Sequence, residues 1–173
     1  MIPLLLGVLD SGKSGHLLTD DEQLIASVTV GAGGQTNIVF SSIPQTYNWL
    51  RLRLAHNYNG WVLMQLNGTL PVIMHRLWGD GSAVNTMNYS SGQNGAVATY
   101  SSAPGVGGSV TDIIDYASSA KCKTLRTLAG DDTDGGGSVE FMSNLWNYVS
   151  PVTSLTILGT FSAGSTFDLY GVK

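Results

Sequence analysis

The chain of 173 residues has the length of one ordinary domain; it is only 12% charged and 43% hydrophobic, with 12 acidic and 8 basic residues giving a net charge of −4. So few charges beside 22 glycines exclude a disordered tail, a coiled coil and a helical bundle. The Lys and Arg residues are scattered, which leaves no nucleic-acid footprint; one cysteine excludes an internal disulfide framework, and three histidines without nearby Cys argue against structural zinc.

The opening Met1 to Leu9 is apolar, but it has no basic leader region and no small-residue cleavage site, and it is too short to span a bilayer. Folding in a cytoplasm, away from membranes, is therefore expected. A polar stretch, Ser11 to Glu22, joins this start to the rest, so an N-terminal arm over residues 1 to 22 is expected ahead of one β domain over residues 23 to 173. Ile2, Leu4, Leu5, Leu6 and Leu9 are the candidate assembly residues of that arm, because a soluble monomer gains little by exposing them. Within the arm, Gly7-Val-Leu-Asp-Ser-Gly12-Lys13-Ser14 satisfies the phosphate-loop pattern in full. Its setting is wrong: Gly15 is a poor helix starter, and no alternation of strand and helix follows to build a parallel sheet. The match is read as coincidence in a Gly- and Ser-rich arm, and no cofactor is expected.

From residue 23 onward, short apolar or alternating runs recur between Gly, Asn, Asp, Ser and Pro, the spacing of an antiparallel sandwich or barrel. Strands are predicted at 23 to 30, 36 to 43, 49 to 56, 61 to 67, 72 to 78, 95 to 100, 109 to 116, 122 to 129, 137 to 142, 153 to 158 and 165 to 172. The clearest is Leu50-Arg-Leu-Arg-Leu54, whose leucines face the core while Arg51 and Arg53 face outward. The run Trp61 to Asn67 alternates again with Val62, Met64 and Leu66 inward, and Asn59-Gly60 suits a turn, so these two runs are expected to pair as a hairpin. Residues 79 to 108 read as a Ser-, Gly- and Asn-rich excursion holding poorly patterned strands. Helix is limited to a turn or two, at His16 to Ala26 and Asp112 to Cys122.

Candidate chemistry is sparse. Asp131-Asp132-Thr133-Asp134-Gly135 has oxygen ligands for a hard cation, but a turn between strands needs Asp and Gly for its own reasons. Asp112, Asp115, Glu140 and Asp168 are carboxylates that could pair in space, and nothing in the sequence fixes a pair. No serine elbow or ordered triad is present. Cys122, between two lysines, reads chiefly as a small buried hydrophobe. Trp61 and Trp78, with Asp80, could stack on and hydrogen-bond a sugar; large rings of a sandwich otherwise serve as core and subunit-interface anchors.

The order of segments resembles a widespread family of tailed-bacteriophage virion proteins. The residues carrying the likeness are Leu24-Ile-Ala-Ser-Val-Thr-Val30, Ile38 to Tyr47 leading into Leu50-Arg-Leu-Arg-Leu54, Leu77-Trp-Gly-Asp-Gly81, Asp112-Ile-Ile-Asp-Tyr-Ala117, Lys123-Thr-Leu-Arg126, Leu145-Trp146 and Ser165-Thr-Phe-Asp-Leu-Tyr-Gly-Val-Lys173. The resemblance spans residues 23 to 173. Asp168 departs from it, standing where relatives carry a small residue. What the resemblance implies is an all-β, antiparallel jelly-roll-like β-sandwich with an extended N-terminal arm, forming a homotrimer on a phage particle, with the major capsid protein or other virion proteins as partners. The implied role is structural and non-enzymatic, foremost a capsid decoration or cement protein. The alternative is a tail-associated module that binds host-surface glycan.

Overall fold

The computed structural model describes residues 21–57, 60–89, 95–98, 106–132 and 136–173. The arm residues Ile2, Leu4, Leu5, Leu6 and Leu9, the Gly7 to Ser14 motif and Thr133, Asp134 and Gly135 lie outside them.

The described residues form eleven strands and no helix: β1 Glu22–Thr29, β2 Gln35–Phe40, β3 Trp49–Asn57, β4 Leu63–Leu66, β5 Ile73–Gly79, β6 Val84–Tyr89, β7 Val106–Ile114, β8 Lys123–Asp132, β9 Gly137–Trp146, β10 Leu155–Phe161 and β11 Thr166–Val172. All ladders are antiparallel. Eight strands form one sheet in the order β1-β11-β3-β7-β8-β9-β5-β6, and β2-β10-β4 form the second. The fold is an all-β sandwich.

Alternation builds its core. On β3, Leu50, Leu52 and Leu54 are buried while Arg51 and Arg53 point away, as their spacing predicts. They meet Ile113, Leu125, Phe167 and Leu169 from their own sheet and Ile38, Phe40, Met64, Leu66, Leu155 and Ile157 from the other. Asn67, in the left-handed region at φ 49°, anchors the end of β4 by accepting the Thr153 and Ser154 amides at 2.9 and 3.1 Å. The inner face of β8, β9 and β5 is covered differently, by residues 61, 63, 89 and 96 around Met74, Ala129 and Met142. Here Asn144 receives the Gly95 amide at 2.8 Å and donates to the Ala96 carbonyl at 3.1 Å, sealing the sheet with backbone rather than a further strand.

Three expectations change. Strand β3 does not form a hairpin with the run after Trp61; its neighbours are β11 and β7, while β4 pairs with β10 in the other sheet. Both runs bury leucines, and burying them against each other across the sandwich satisfies the pattern as well as pairing would. Residues 95–98 are no strand and carry one isolated bridge, Ala96 to Leu63. As expected, the polar excursion holds a poorly patterned strand, β6, at a sheet edge where only one neighbour, β5, is needed. Helical turns are absent from Asp112 to Cys122, where β7 ends in a turn with Asp115 at φ 57°.

Candidate interaction surface

The eight-stranded sheet has one face against the core and one away from it, and ladder register fixes which side chains share each. Across the outer face runs a polar row, Tyr170, Arg51, Asp112, Arg126, Ser143, His75 and Asn88, contributed by consecutive neighbours. Beside it, two residues along each strand, runs an apolar row: Val110, Leu128, Phe141 and Leu77. Phe141 is 57% exposed and Leu128 49%. Val139, Val84 and Val106 extend the apolar surface toward one end of the strands, and all three are exposed. The two rows line a groove of about 1010 Å³ that reaches from Arg51 to Asn88.

Charge is unevenly spent along it. Arg51 grips Asp112 through Nε and Nη2 at 2.6 and 2.9 Å and gives Nη1 to Glu22 at 2.5 Å. Asp112, above all, raises the Arg51 pKa well beyond its ordinary value. The other Glu22 oxygen takes Arg53, whose guanidinium lies 4.8 Å above the Tyr170 ring. Arg126, next to Asp112 in the ladder, makes no ion pair with any described residue. Among the described residues, the groove therefore offers an apolar floor beside a guanidinium, Arg126, that no carboxylate holds.

No protein-family model, curated protein or solved structure matches the chain. What the surface can do rests on its own chemistry.

The residues singled out from sequence are dispersed. Trp61 and Trp78 do come together, on the opposite side of the sheet from the groove, with Arg76 between them at 4.9 and 4.1 Å from the two ring centroids. Trp61 also meets Tyr89 edge-on. One face of each indole is thus spent on a guanidinium that is itself bound to Glu140. Asp80 caps its own turn, accepting from the Ser82 hydroxyl and from the Ser82 and Ala83 amides at 2.7, 2.9 and 3.0 Å; these bonds lower its pKa to about 2. The four carboxylates do not pair with one another: Asp112 binds Arg51, Asp115 Lys121, Glu140 Arg76, and Asp168 accepts from Ser27. Asp131 caps Ser138, and no cluster of three metal-ligating side chains exists among the described residues.

Cys122 is exposed, against its expected burial. Strand β8 starts one residue later and sends Lys123 inward with Leu125, Thr127 and Ala129. The Lys123 ammonium is satisfied by the Ser118 and Lys121 carbonyls at 2.5 and 2.7 Å and lies 6.0 Å from the Trp146 ring centroid, and loss of solvent lowers its pKa.

The groove residues Val110, Leu128, Phe141, Leu77 and Arg126 escaped the sequence reading as a site. A signal existed in β8 and β9, where large apolar residues occupy both alternation phases, as in Val139-Glu140-Phe141-Met142. A strand apolar on both faces is one whose outer face has work to do.

Proposed function

We propose that this protein is a non-enzymatic structural component of a tailed-bacteriophage virion, a decoration or cement protein that seats on the outer head surface as a homotrimer and contacts the major capsid protein. The observation that carries the reading is the row Val110, Leu128, Phe141 and Leu77, exposed across the middle of the outer sheet face. Monomeric proteins rarely leave such a contiguous apolar surface to water, and contact with another protein chain is its usual explanation. Low charge density over the chain fits a molecule much of whose surface meets other subunits. The resemblance of residues 23 to 173 to phage virion proteins supplies the compartment: assembly in the host cytoplasm and residence on the particle. An enzymatic role draws no support from carboxylates that are each engaged elsewhere. The tail-borne glycan-binding alternative is weakened by the Arg76 guanidinium that already occupies one face of Trp61 and of Trp78.

The test is reconstitution on undecorated heads. Purified protein should elute as a trimer and bind heads saturably, with density at three-fold positions in an image reconstruction, and Leu128→Asp with Phe141→Asp should weaken binding at least tenfold. Density confined to the tail, or head binding indifferent to both substitutions, overturns the proposal.

A further inference from the structure

The outer groove poses a problem for the chain before it meets any partner, because Leu128 and Phe141 would stand in water. The sequence also holds a strongly apolar stretch ahead of the described residues: Ile2-Pro-Leu-Leu-Leu-Gly-Val-Leu9. Where the described chain begins relates the two. Strand β1 is the edge of the sheet, the Asp21 carbonyl is pinned by the Lys173 amide at 2.8 Å, and the Glu22 side chain lies on the outer face, bound to Arg51. Arg51 lines the groove. The first described residues, Asp21 and Glu22, therefore lie at the Arg51 end of the groove.

We propose that in the free protein the groove is covered by the chain's own leucine-rich segment, Ile2 to Leu9. The reach is ample. Strand β8 lies four places from β1, roughly 19 Å at the usual strand spacing, while the residues between Leu9 and Asp21 can span up to about 40 Å. The tether is polar from Asp10 to Asp21 apart from Leu17 and Leu18, so the apolar residues concentrate at the end that would arrive over Val110, Leu128 and Phe141. Charge agrees: Asp10 follows Leu9 directly, and Arg126 stands in the groove without an ion-pair partner among the described residues. Arg51, already held by two carboxylates, cannot compete for it. Joining segment and groove in one chain raises their effective concentration to the millimolar range or above, so a modest contact suffices.

This seat concerns the chain before assembly and does not depend on the virion reading; head binding can fail while the seat exists, and the reverse. The test uses the full chain with Cys122→Ser, comparing Leu6→Cys paired with Leu128→Cys against Leu6→Cys paired with Val39→Cys, an exposed position on the small sheet. Mild oxidation of a mixture of isotopically light and heavy chains, read by peptide mass, should give a disulfide at least tenfold faster for the groove pair. That product should join peptides of one isotope only, and Arg126→Glu should lower its yield at least threefold. Equal rates for the two pairs, mixed-isotope products, or a yield indifferent to Arg126→Glu would overturn the proposal.

Discussion

Arg76 and Glu140 form a two-pronged ion pair on the core side of the large sheet, with Arg76 Nε 2.7 Å from Glu140 Oε2 and Nη2 on the other oxygen. The Glu140 side chain is 0% exposed and that of Arg76 10%. A carboxylate so placed is tolerable only while its partner stays. Arg76→Ala should therefore cost about 3 to 5 kcal/mol, mostly the penalty of stranding Glu140, while Arg76→Met combined with Glu140→Leu should recover most of the loss. Urea unfolding midpoints of the two variants and the parent decide this; a single variant no worse than the double would refute it.

His56 should make the stability of the fold depend on pH near neutrality. The ring is buried, edge-on to Phe161 at 6.3 Å between centroids, and neither nitrogen has a hydrogen-bond partner among the described residues. Burial lowers its pKa from 6.5, and the charge of Asp131 opposes this only in part. The unfolded chain then takes up a proton more readily than the folded one. Stability should be constant above about pH 7 and fall as the pH drops through the unfolded value near 6.5 toward 5. Over this window Asp80, whose pKa is about 2, stays ionised. His56→Leu should flatten the slope of unfolding free energy against pH between 7 and 5; an unchanged slope would assign it to another group.

Gly171 is a glycine for a packing reason. A Cβ built there would lie 2.2 Å from the Tyr47 ring, so the ring rests directly on the β11 backbone. Tyr47 is held in turn: its hydroxyl donates to Gln23 at 3.0 Å and its amide donates to the Tyr116 hydroxyl at 3.1 Å. Gly171→Ala should cost about 1 to 3 kcal/mol through overpacking. In a double-mutant cycle with Tyr47→Ala, most of that cost should vanish, because the colliding ring is gone. Additive losses would place the strain elsewhere on β11.

The extent to which the fold could be read in advance varies with how one-sided each strand is. Strand β3 announced both faces because leucine and arginine alternate from Leu50 to Leu54. The same alternation could not name its neighbours: a buried leucine face is satisfied equally by pairing with Trp61 to Asn67 or by packing across the sandwich on Met64 and Leu66. Strand β6, Val-Asn-Thr-Met-Asn-Tyr, hid in polar sequence because an edge strand is held by one ladder and little burial. The groove was the least legible feature. Its polar row is assembled from β11, β3, β7, β8, β9, β5 and β6, so its members are near one another only after the whole sheet has formed. Trp61 and Trp78, offered from sequence as sugar-stacking rings, each lie against Arg76, which no spacing in the sequence connects to both.

Strand β9 carries the sharpest conflict between pattern and placement, and it can be measured. In Val139-Glu140-Phe141-Met142 the residue with the greatest claim to a core is Phe141, and the one with the least is Glu140; the structure buries Glu140 and leaves Phe141 57% exposed. Register leaves no freedom, since shifting β9 by one place would also expel Asn144 from the Gly95 and Ala96 backbone and Trp146 from its 2.7 Å bond to Thr69. Phe141→Ser, which loses only the modest contact proposed with Ile2 to Leu9, should therefore cost no more than about 1 kcal/mol, whereas a phenylalanine buried in the core would cost about 3 to 5 kcal/mol on truncation. Truncating its neighbour Met142, 3% exposed, to Ala should by contrast cost about 2 to 5 kcal/mol. Thermal unfolding of the two variants side by side gives the decision: a large loss at Phe141 and a small one at Met142 would mean that β9 presents its other face to the core.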